Sequence, residues 1–282
     1  MTQTVFLNGK WQPIEAAMVP VLDRGFIYGD GVYELIPVYA GKPFRAREHL
    51  QRLARSLAEI RIDNPYTENQ WLALVAEIVA KHSASDQAIY FQVTRGAPPK
   101  RDHVFPVGIT PTVFMMSNPL TRPTAAQYEH GVACVTLNDD RWFKNHLKSI
   151  SLLGNVLARQ YAADQDAVEV VMFRDGWLTE ASSSNVLIVK SGIIAAPLKD
   201  NLILPGITYG AAFDLASEIG HAFEVRNICA AEVWTADELW LTSSTKEALA
   251  ITTLDGKAVG LQPGKVGPVF RKMYDAFQRA KA

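Results

Sequence analysis

Apolar residues recur along this chain with two different periods. Leu50, Leu53, Leu57 and Ile60 fall on one stripe of a helix read from Arg47 to about Arg61. Trp71, Leu74, Val75 and Ile78 form the apolar face of a second helix, opened by the capping box Thr67-Glu68-Asn69-Gln70. Elsewhere the spacing shortens to that of strands, over residues 88–94, 113–116, 132–136, 168–173, 186–189 and 238–241. Asn8-Gly9, Asp175-Gly176 and Asp255-Gly256 each separate two strand-like runs and predict hairpins. Helical spacing returns after Pro205-Gly206, through Ala212, Phe213, Leu215 and Ile219. It returns again at the C-terminus, where Pro268 sits near the start and Val269, Phe270, Met273 and Phe277 face inward. The mixture is α+β.

A length of 282 residues accommodates two modest domains or one large one. Asn118-Pro119-Leu120-Thr121-Arg122-Pro123-Thr124 has two prolines and no periodicity, so the expected division is 1–118, a linker 119–131, and 132–282. A net charge of −1 gives no electrostatic case for nucleic acid or an anionic membrane. Cys134 and Cys229 match no metal-ligand spacing, and neither a signal peptide nor a membrane span is read, so a reduced, cytoplasmic chain is expected. No G-x-G-x-x-G follows a strand with an acidic residue at the right distance, which argues against a nicotinamide-dependent oxidoreductase.

Candidate chemistry begins at Lys148. Leu147, Ile150, Leu152 and Leu153 surround it, ahead of a helical pattern through Val156, Leu157 and Gln160-Tyr161, with Ser151 as the expected N-cap. Burial disfavours the charged form of an amine, and a neutral amine is a nucleophile that forms Schiff bases with carbonyls. By spacing alone, such a lysine merely snorkels at a helix start. Other candidates are equally open when taken singly. Arg95, Lys100, Arg101 and His103 share a stiff, proline-containing loop that reads either as a solvated turn or as a carboxylate clamp. Pro205-Gly206 leaves the first N–H groups of a helix free for a phosphate. Thr242-Ser243-Ser244 is a hydroxyl cluster at a strand end. Tyr33 on its own is a core residue, Arg52 a solvated one, and Glu180 an exposed turn carboxylate. Arg141 and Lys144 add positive charge before Lys148 and read as structural.

In chain order these pieces resemble the D-amino-acid aminotransferases of the fold-type IV family of pyridoxal phosphate enzymes. That family also holds branched-chain aminotransferases, (R)-amine transaminases and aminodeoxychorismate lyases. Lys148-Ser149-Ile150-Ser151-Leu152-Leu153-Gly154-Asn155 is similar to the catalytic-lysine segment, and Gly29-Asp30-Gly31-Val32-Tyr33-Glu34 to the N-terminal signature. Glu48-His49-Leu50-Gln51-Arg52-Leu53, Arg101-Asp102-His103, Thr179-Glu180-Ala181-Ser182-Ser183-Ser184-Asn185 and Leu204-Pro205-Gly206-Ile207-Thr208 match further motifs. The resemblance covers nearly the whole chain.

The resemblance implies a two-domain fold, with a small N-terminal α/β domain and a larger C-terminal domain around a β-barrel-like core. It implies pyridoxal 5′-phosphate as cofactor, bound covalently by the catalytic Lys148. Arg52, Ile207, Thr208, Ser243 and Ser244 would hold its phosphate, and Glu180 its ring nitrogen. Tyr33, Arg101 and His103 would bind substrate, with Arg95 or Lys100 as alternatives to Arg101. The implied reaction is transamination between D-amino acids such as D-alanine and 2-oxo acids such as 2-oxoglutarate or pyruvate. A homodimer is implied too, because substrate recognition in this fold often borrows a loop from the other subunit. A branched-chain enzyme is expected to read closer to Phe-Glu-Gly at Tyr33-Glu34-Leu35. A dedicated carboxylate trap works against an (R)-amine transaminase, and a catalytically silent relative would retain the fold without this set of residues.

Overall fold

The computed structural model describes residues 3–282. The chain forms two compact units: one runs to Leu120 and takes in Leu147–Ser151, and the other comprises Thr121–His146 and Leu152–Ala282.

The first unit is built on a six-stranded sheet. Its strands are β1 (Thr4–Leu7), β2 (Lys10–Pro13), β3 (Gly31–Tyr39), β4 (Lys42–Pro43), β5 (Gln87–Thr94) and β6 (Thr112–Pro119), in the order β2-β1-β6-β5-β3-β4. Asn8 and Gly9 both take positive φ, as the two central residues of a type I′ turn must, and Leu7 pairs with Lys10 across it. A short helix α1 (Arg24–Tyr28) is capped by Asp23, whose carboxylate accepts from the Gly25 N–H at 2.8 Å. Helices α2 (Ala46–Glu59) and α3 (Glu68–Ala80) supply the apolar stripes expected of them. Leu50, Leu53, Leu57, Trp71, Val75 and Ile78 pack on Val32, Ile36, Ile89, Phe91, Val93 and Met115 of the sheet. Thr67 and Gln70 form both halves of the capping box.

The second unit is built on a nine-stranded mixed sheet. It contains α4 (Ala125–His130), β7 (Val132–Asn138), α5 (Leu153–Asp164), β8 (Glu169–Arg174), β9 (Trp177–Leu178), β10 (Asn185–Lys190), β11 (Ile193–Ala196), α6 (Ile207–Ala216), β12 (Phe223–Val225), α7 (Ala230–Trp234), β13 (Glu238–Ser243), β14 (Glu247–Leu254), β15 (Lys257–Ala258) and α8 (Pro268–Ala280). The strands run β12-β11-β10-β13-β14-β7-β8-β9, with β15 on β14. Val186, Ile188, Leu239, Leu241, Leu249 and Ile251 lead the main core. On the other face of β13, Trp240 meets Phe270 of α8. The start of α8 is held by Glu238, whose carboxylate accepts from the N–H groups of Val269 (2.8 Å) and Phe270 (2.7 Å) and from Trp240 Nε1 (3.0 Å).

Two local expectations change. Residues 119–131, read as a linker, hold the end of β6 and the capped helix α4. Ser151 does not cap α5, because its hydroxyl donates to the Gly29 carbonyl at 3.0 Å; the cap position falls to Leu152, with no side-chain bond. The apolar stripe that announces α5 faces outward. Leu153, Val156 and Leu157 are 72%, 58% and 62% exposed, whereas the buried side of the helix is Ala158 and Ala162.

Candidate active site

Lys148 lies in the short segment that packs with the first unit, and its backbone is stitched to β3. The Tyr33 N–H donates to the Lys148 carbonyl at 2.9 Å, the Ile150 N–H donates to Gly31 at 3.1 Å, and Ser149 bridges Val32. This seam sets the lysine against the next strand residue, with Nζ 4.1 Å from the centroid of the Tyr33 ring. Strand alternation then puts Tyr33 and Glu34 on opposite faces. Glu34 is buried and accepts from Arg52 Nε (2.7 Å) and Nη2 (2.9 Å), with His49 Nδ1 at 2.7 Å. Burial, the largest single influence, would raise the Glu34 carboxyl, but the charges and hydrogen bonds of Arg52 and His49 together outweigh it and hold Glu34 well below the usual carboxylate range. Burial also holds His49 below its usual value, against the pull of Glu34. Arg52, off the apolar stripe of α2, is therefore not a solvated residue, since Glu34 draws it inside.

The basic loop separates the three clamp candidates. Arg95 is buried and committed. Its Nε and Nη2 donate to Asp30 at 2.7 and 2.9 Å, and its Nη1 and Nη2 donate to the carbonyls of Arg61 and Ile60 at 2.9 and 2.7 Å. Phe105 stacks 3.5 Å from its guanidinium carbon. Arg24, also on Asp30, donates to the carbonyls of Asp102, His103 and Val104, so it fixes the backbone of the Arg101-Asp102-His103 motif. Arg101 and His103 themselves are exposed and gather on Tyr28, at 4.9 and 5.1 Å from its ring. Lys100 is exposed as well.

In the second unit Glu180 follows β9 and is buried, not the exposed turn residue that its position alone suggests. Its Oε1 accepts from Arg141 Nη1 at 2.9 Å. Its Oε2 accepts from the Leu204 N–H at 2.9 Å and from Asn185 Nδ2 at 3.2 Å. Burial pushes the Glu180 carboxyl up to about 7, with the Arg141 charge opposing. Asn185 also holds the Leu204 carbonyl at 2.8 Å, immediately before α6. A Cβ at Gly206 would come 2.2 Å from Asn185 Oδ1, so a larger residue there would push the Asn185 amide out of its hydrogen bonds.

Gly206 caps α6 without a side-chain bond, and the first-turn N–H groups of Ile207 and Thr208 have no intrahelical carbonyl to bond. Ser243 and Ser244 lie where β13 ends, the Ser243 hydroxyl accepting from the Lys246 N–H at 3.1 Å. Lys246 Nζ reaches Ser183 (3.0 Å), Ser184 (3.2 Å) and Glu169 (3.3 Å), tying the turn after Glu180 to this strand end. Thr242 Oγ1, buried in register with Asn185, has no partner. This unit thus offers an uncapped helix start with hydroxyls, and a buried carboxylate that a cation would stabilise. The donor set fits the phosphate and the protonated ring nitrogen of pyridoxal phosphate.

The structure brings Lys148, Tyr33 and Arg52 into the first unit with Glu34 and His49. It brings Glu180, Ile207, Thr208, Ser243 and Ser244 into the second. The residues left without a role by the sequence are Arg141, Asp139 and Asn185. Asn185 closes the glutamate motif, which was a usable signal. Nothing in the linear order shows that Asp139 is buried and holds Arg141.

The chain is similar to known proteins. The model of the class IV aminotransferases matches residues 31–254. The chain is 36% identical to the D-alanine aminotransferase of Bacillus licheniformis over 276 residues, covering 98% of this chain and 96% of that protein. Among solved structures, a fold IV transaminase from Curtobacterium pusillum aligns with a TM-score of 0.83 at 28% identity, over 97% of this chain and 93% of that one. The Escherichia coli branched-chain amino acid aminotransferase aligns with a TM-score of 0.91 at 23% identity, over 99% and 94%, a likeness of fold. With that match running from the start of β3 to the end of β14, the chain belongs to the class IV aminotransferase family.

Proposed function

We propose that this enzyme is a D-amino-acid transaminase, moving an amino group between D-amino acids such as D-alanine and 2-oxo acids such as 2-oxoglutarate or pyruvate. The observation that carries the reading is the match to a D-alanine aminotransferase along 98% of the chain. Pyridoxal 5′-phosphate, when bound, supplies the carbonyl that takes up the amino group and a ring that accepts the electron pair left on the substrate α-carbon. The residues do the rest. The Lys148 amine would hold the cofactor covalently and, once released, would move the proton from the substrate α-carbon to the cofactor carbon that had borne the carbonyl. Glu180, as an anion, keeps a proton on the ring nitrogen. Arg52, the N–H groups of Ile207 and Thr208, and the hydroxyls of Ser243 and Ser244 bind the phosphate. Tyr33 faces the substrate.

Arg101 and His103 bind the substrate carboxylate. Their exposure, on a loop backbone fixed by Arg24, suits residues offered to the site of a partner subunit. The outward apolar face of α5 supports the same homodimer, since Leu153, Val156, Leu157 and Tyr161 form a helical stripe that water would otherwise cover. No helix among the described residues is long and apolar enough to cross a membrane. With Cys134 and Cys229 both free thiols, a reducing cytoplasmic setting fits.

The test is a half-reaction screen on the cofactor-loaded protein, following cofactor absorbance with D-alanine, L-leucine and (R)-1-phenylethylamine. D-alanine should bleach the cofactor band fastest, and Lys148→Ala should abolish the response. A faster response to L-leucine or to the amine would replace this reading with a branched-chain or (R)-amine one. A protein that takes up no cofactor would end it.

A further inference from the structure

Arg141 is one of several cations ahead of Lys148 in the sequence. In the folded chain its side chain is 5% exposed and bridges two buried carboxylates. Nε and Nη2 donate to Oδ1 and Oδ2 of Asp139, each at 2.9 Å, and Nη1 donates to Glu180 Oε1 at 2.9 Å. Asp139 is secured from behind. It accepts from Thr179 Oγ1 at 2.8 Å and from Arg174 Nη2 at 3.3 Å, while Arg174 Nε donates to the Asp139 carbonyl at 2.9 Å. A guanidinium gripped at two nitrogens by one carboxylate can aim its remaining nitrogen in only one direction, and here that direction is Glu180.

We propose that Arg141 is a positioning residue for transamination: anchored on Asp139, it holds Glu180 in one orientation and ionised, and so sets the acid limit of activity. The inference rests on the assignment of Glu180 to the ring nitrogen.

The surroundings of Glu180 give Arg141 this control. Burial favours the neutral acid, and the like charge of Asp139 acts in the same sense. Arg141 and Asp139 face Glu180 from the segment after β7, and Arg174 of β8 stands behind Asp139. β10 and the loop before α6 contribute neutral donors, Asn185 Nδ2 and the Leu204 N–H. Removing Arg141 deletes the opposing cation while the like charge of Asp139 stays, so the proton affinity of Glu180 rises. A residue that only filled space would leave that affinity alone.

Arg141→Met and Arg141→Lys in the full-length chain separate these possibilities by two measurements. The first is an NMR titration of carboxyl-13C-glutamate in the cofactor-free protein, the Glu180 signal being identified by its loss in Glu180→Gln. Its midpoint should rise by about one pH unit or more in Arg141→Met, a tenfold or greater gain in proton affinity, and by less in Arg141→Lys. The second is the pH profile of kcat with D-alanine and 2-oxoglutarate. Its acid limb should move up in the same order while the KM for D-alanine changes by less than about threefold, because the substrate carboxylate is bound elsewhere. If Arg141→Met does not fold, Arg141→Gln keeps hydrogen bonding to Asp139 without the charge and carries the same expectation. An unmoved Glu180 midpoint, or a lower kcat with an unmoved acid limb, overturns the proposal. Absence of D-alanine activity in the unmodified enzyme would instead refute the functional assignment, and the titration would still decide whether Arg141 governs Glu180.

Discussion

Glu180→Gln should make the cofactor-free protein less sensitive to alkaline pH even as it damages catalysis. The Glu180 carboxyl is pushed from the usual 4.5 to about 7 by burial. A carboxyl that binds its proton more tightly in the folded state adds stability below 4.5 and loses it as pH rises through 7. The loss runs at about 1.4 kcal/mol per pH unit over that interval, about 3 kcal/mol in all. Glutamine does not titrate, so the slope disappears. The amide brings a constant penalty of its own. Arg141, Asn185 and the Leu204 N–H are all donors aimed at the carboxylate oxygens. The new NH2 group must face one set of them, at a cost of about 1–3 kcal/mol. The variant is then the weaker protein at pH 5 and closes the gap, or overtakes, by pH 8. Urea unfolding at both pH values should show the difference between the two proteins changing by about 2–3 kcal/mol. Parallel stability curves over that range would mean that Glu180 titrates normally, and the electrostatic account of the site would fail with it.

Arg101→Ala should raise the KM for D-alanine far more than it weakens cofactor binding, since a desolvated charged contact carries about 2–5 kcal/mol; unchanged kinetics would pass the role to Lys100. Glu238→Ala leaves the N–H groups of Val269, Phe270 and Trp240 without their acceptor. At about 1–3 kcal/mol for each buried donor, and with water recovering part, unfolding experiments should show a loss of about 3–5 kcal/mol; less than about 1 would mean that α8 is held by packing alone. Leu157→Glu puts a charge into the outward stripe of α5 and should yield a monomer in sedimentation at micromolar concentration, and an unchanged mass would exclude this face as the subunit contact.

Periodicity was enough for the elements whose apolar stripes face their own sheet. Leu50, Leu53 and Leu57, the Thr67–Gln70 box and the Asn8-Gly9 turn all appear where local chemistry puts them. At α5 it found the helix but not its facing, because the same spacing serves a helix that turns its apolar side outward, and only Ala158 and Ala162 mark the inner face. Motifs singled out Lys148 and Glu180, but their environments were not legible. Arg52 is buried through a carboxylate eighteen positions away, and Glu180 is held by an arginine thirty-nine positions away. Such pairings depend on strand neighbours, which a linear sequence does not display. The clamp candidates were separated for the same reason, since Arg95 is spent on Asp30, a residue of the glycine-rich turn.

The alternation along β3 bears on which of its positions tolerate substitution. Tyr33 and Leu35 are half-exposed on one side of the strand, while Val32, Glu34 and Ile36 are sealed into the other. Changes confined to positions 33 and 35 therefore alter the face that carries Tyr33 without disturbing the pair that buries Arg52. A mutant library restricted to these two codons should keep nearly all of its members foldable, whereas one that includes position 34 should lose most of them.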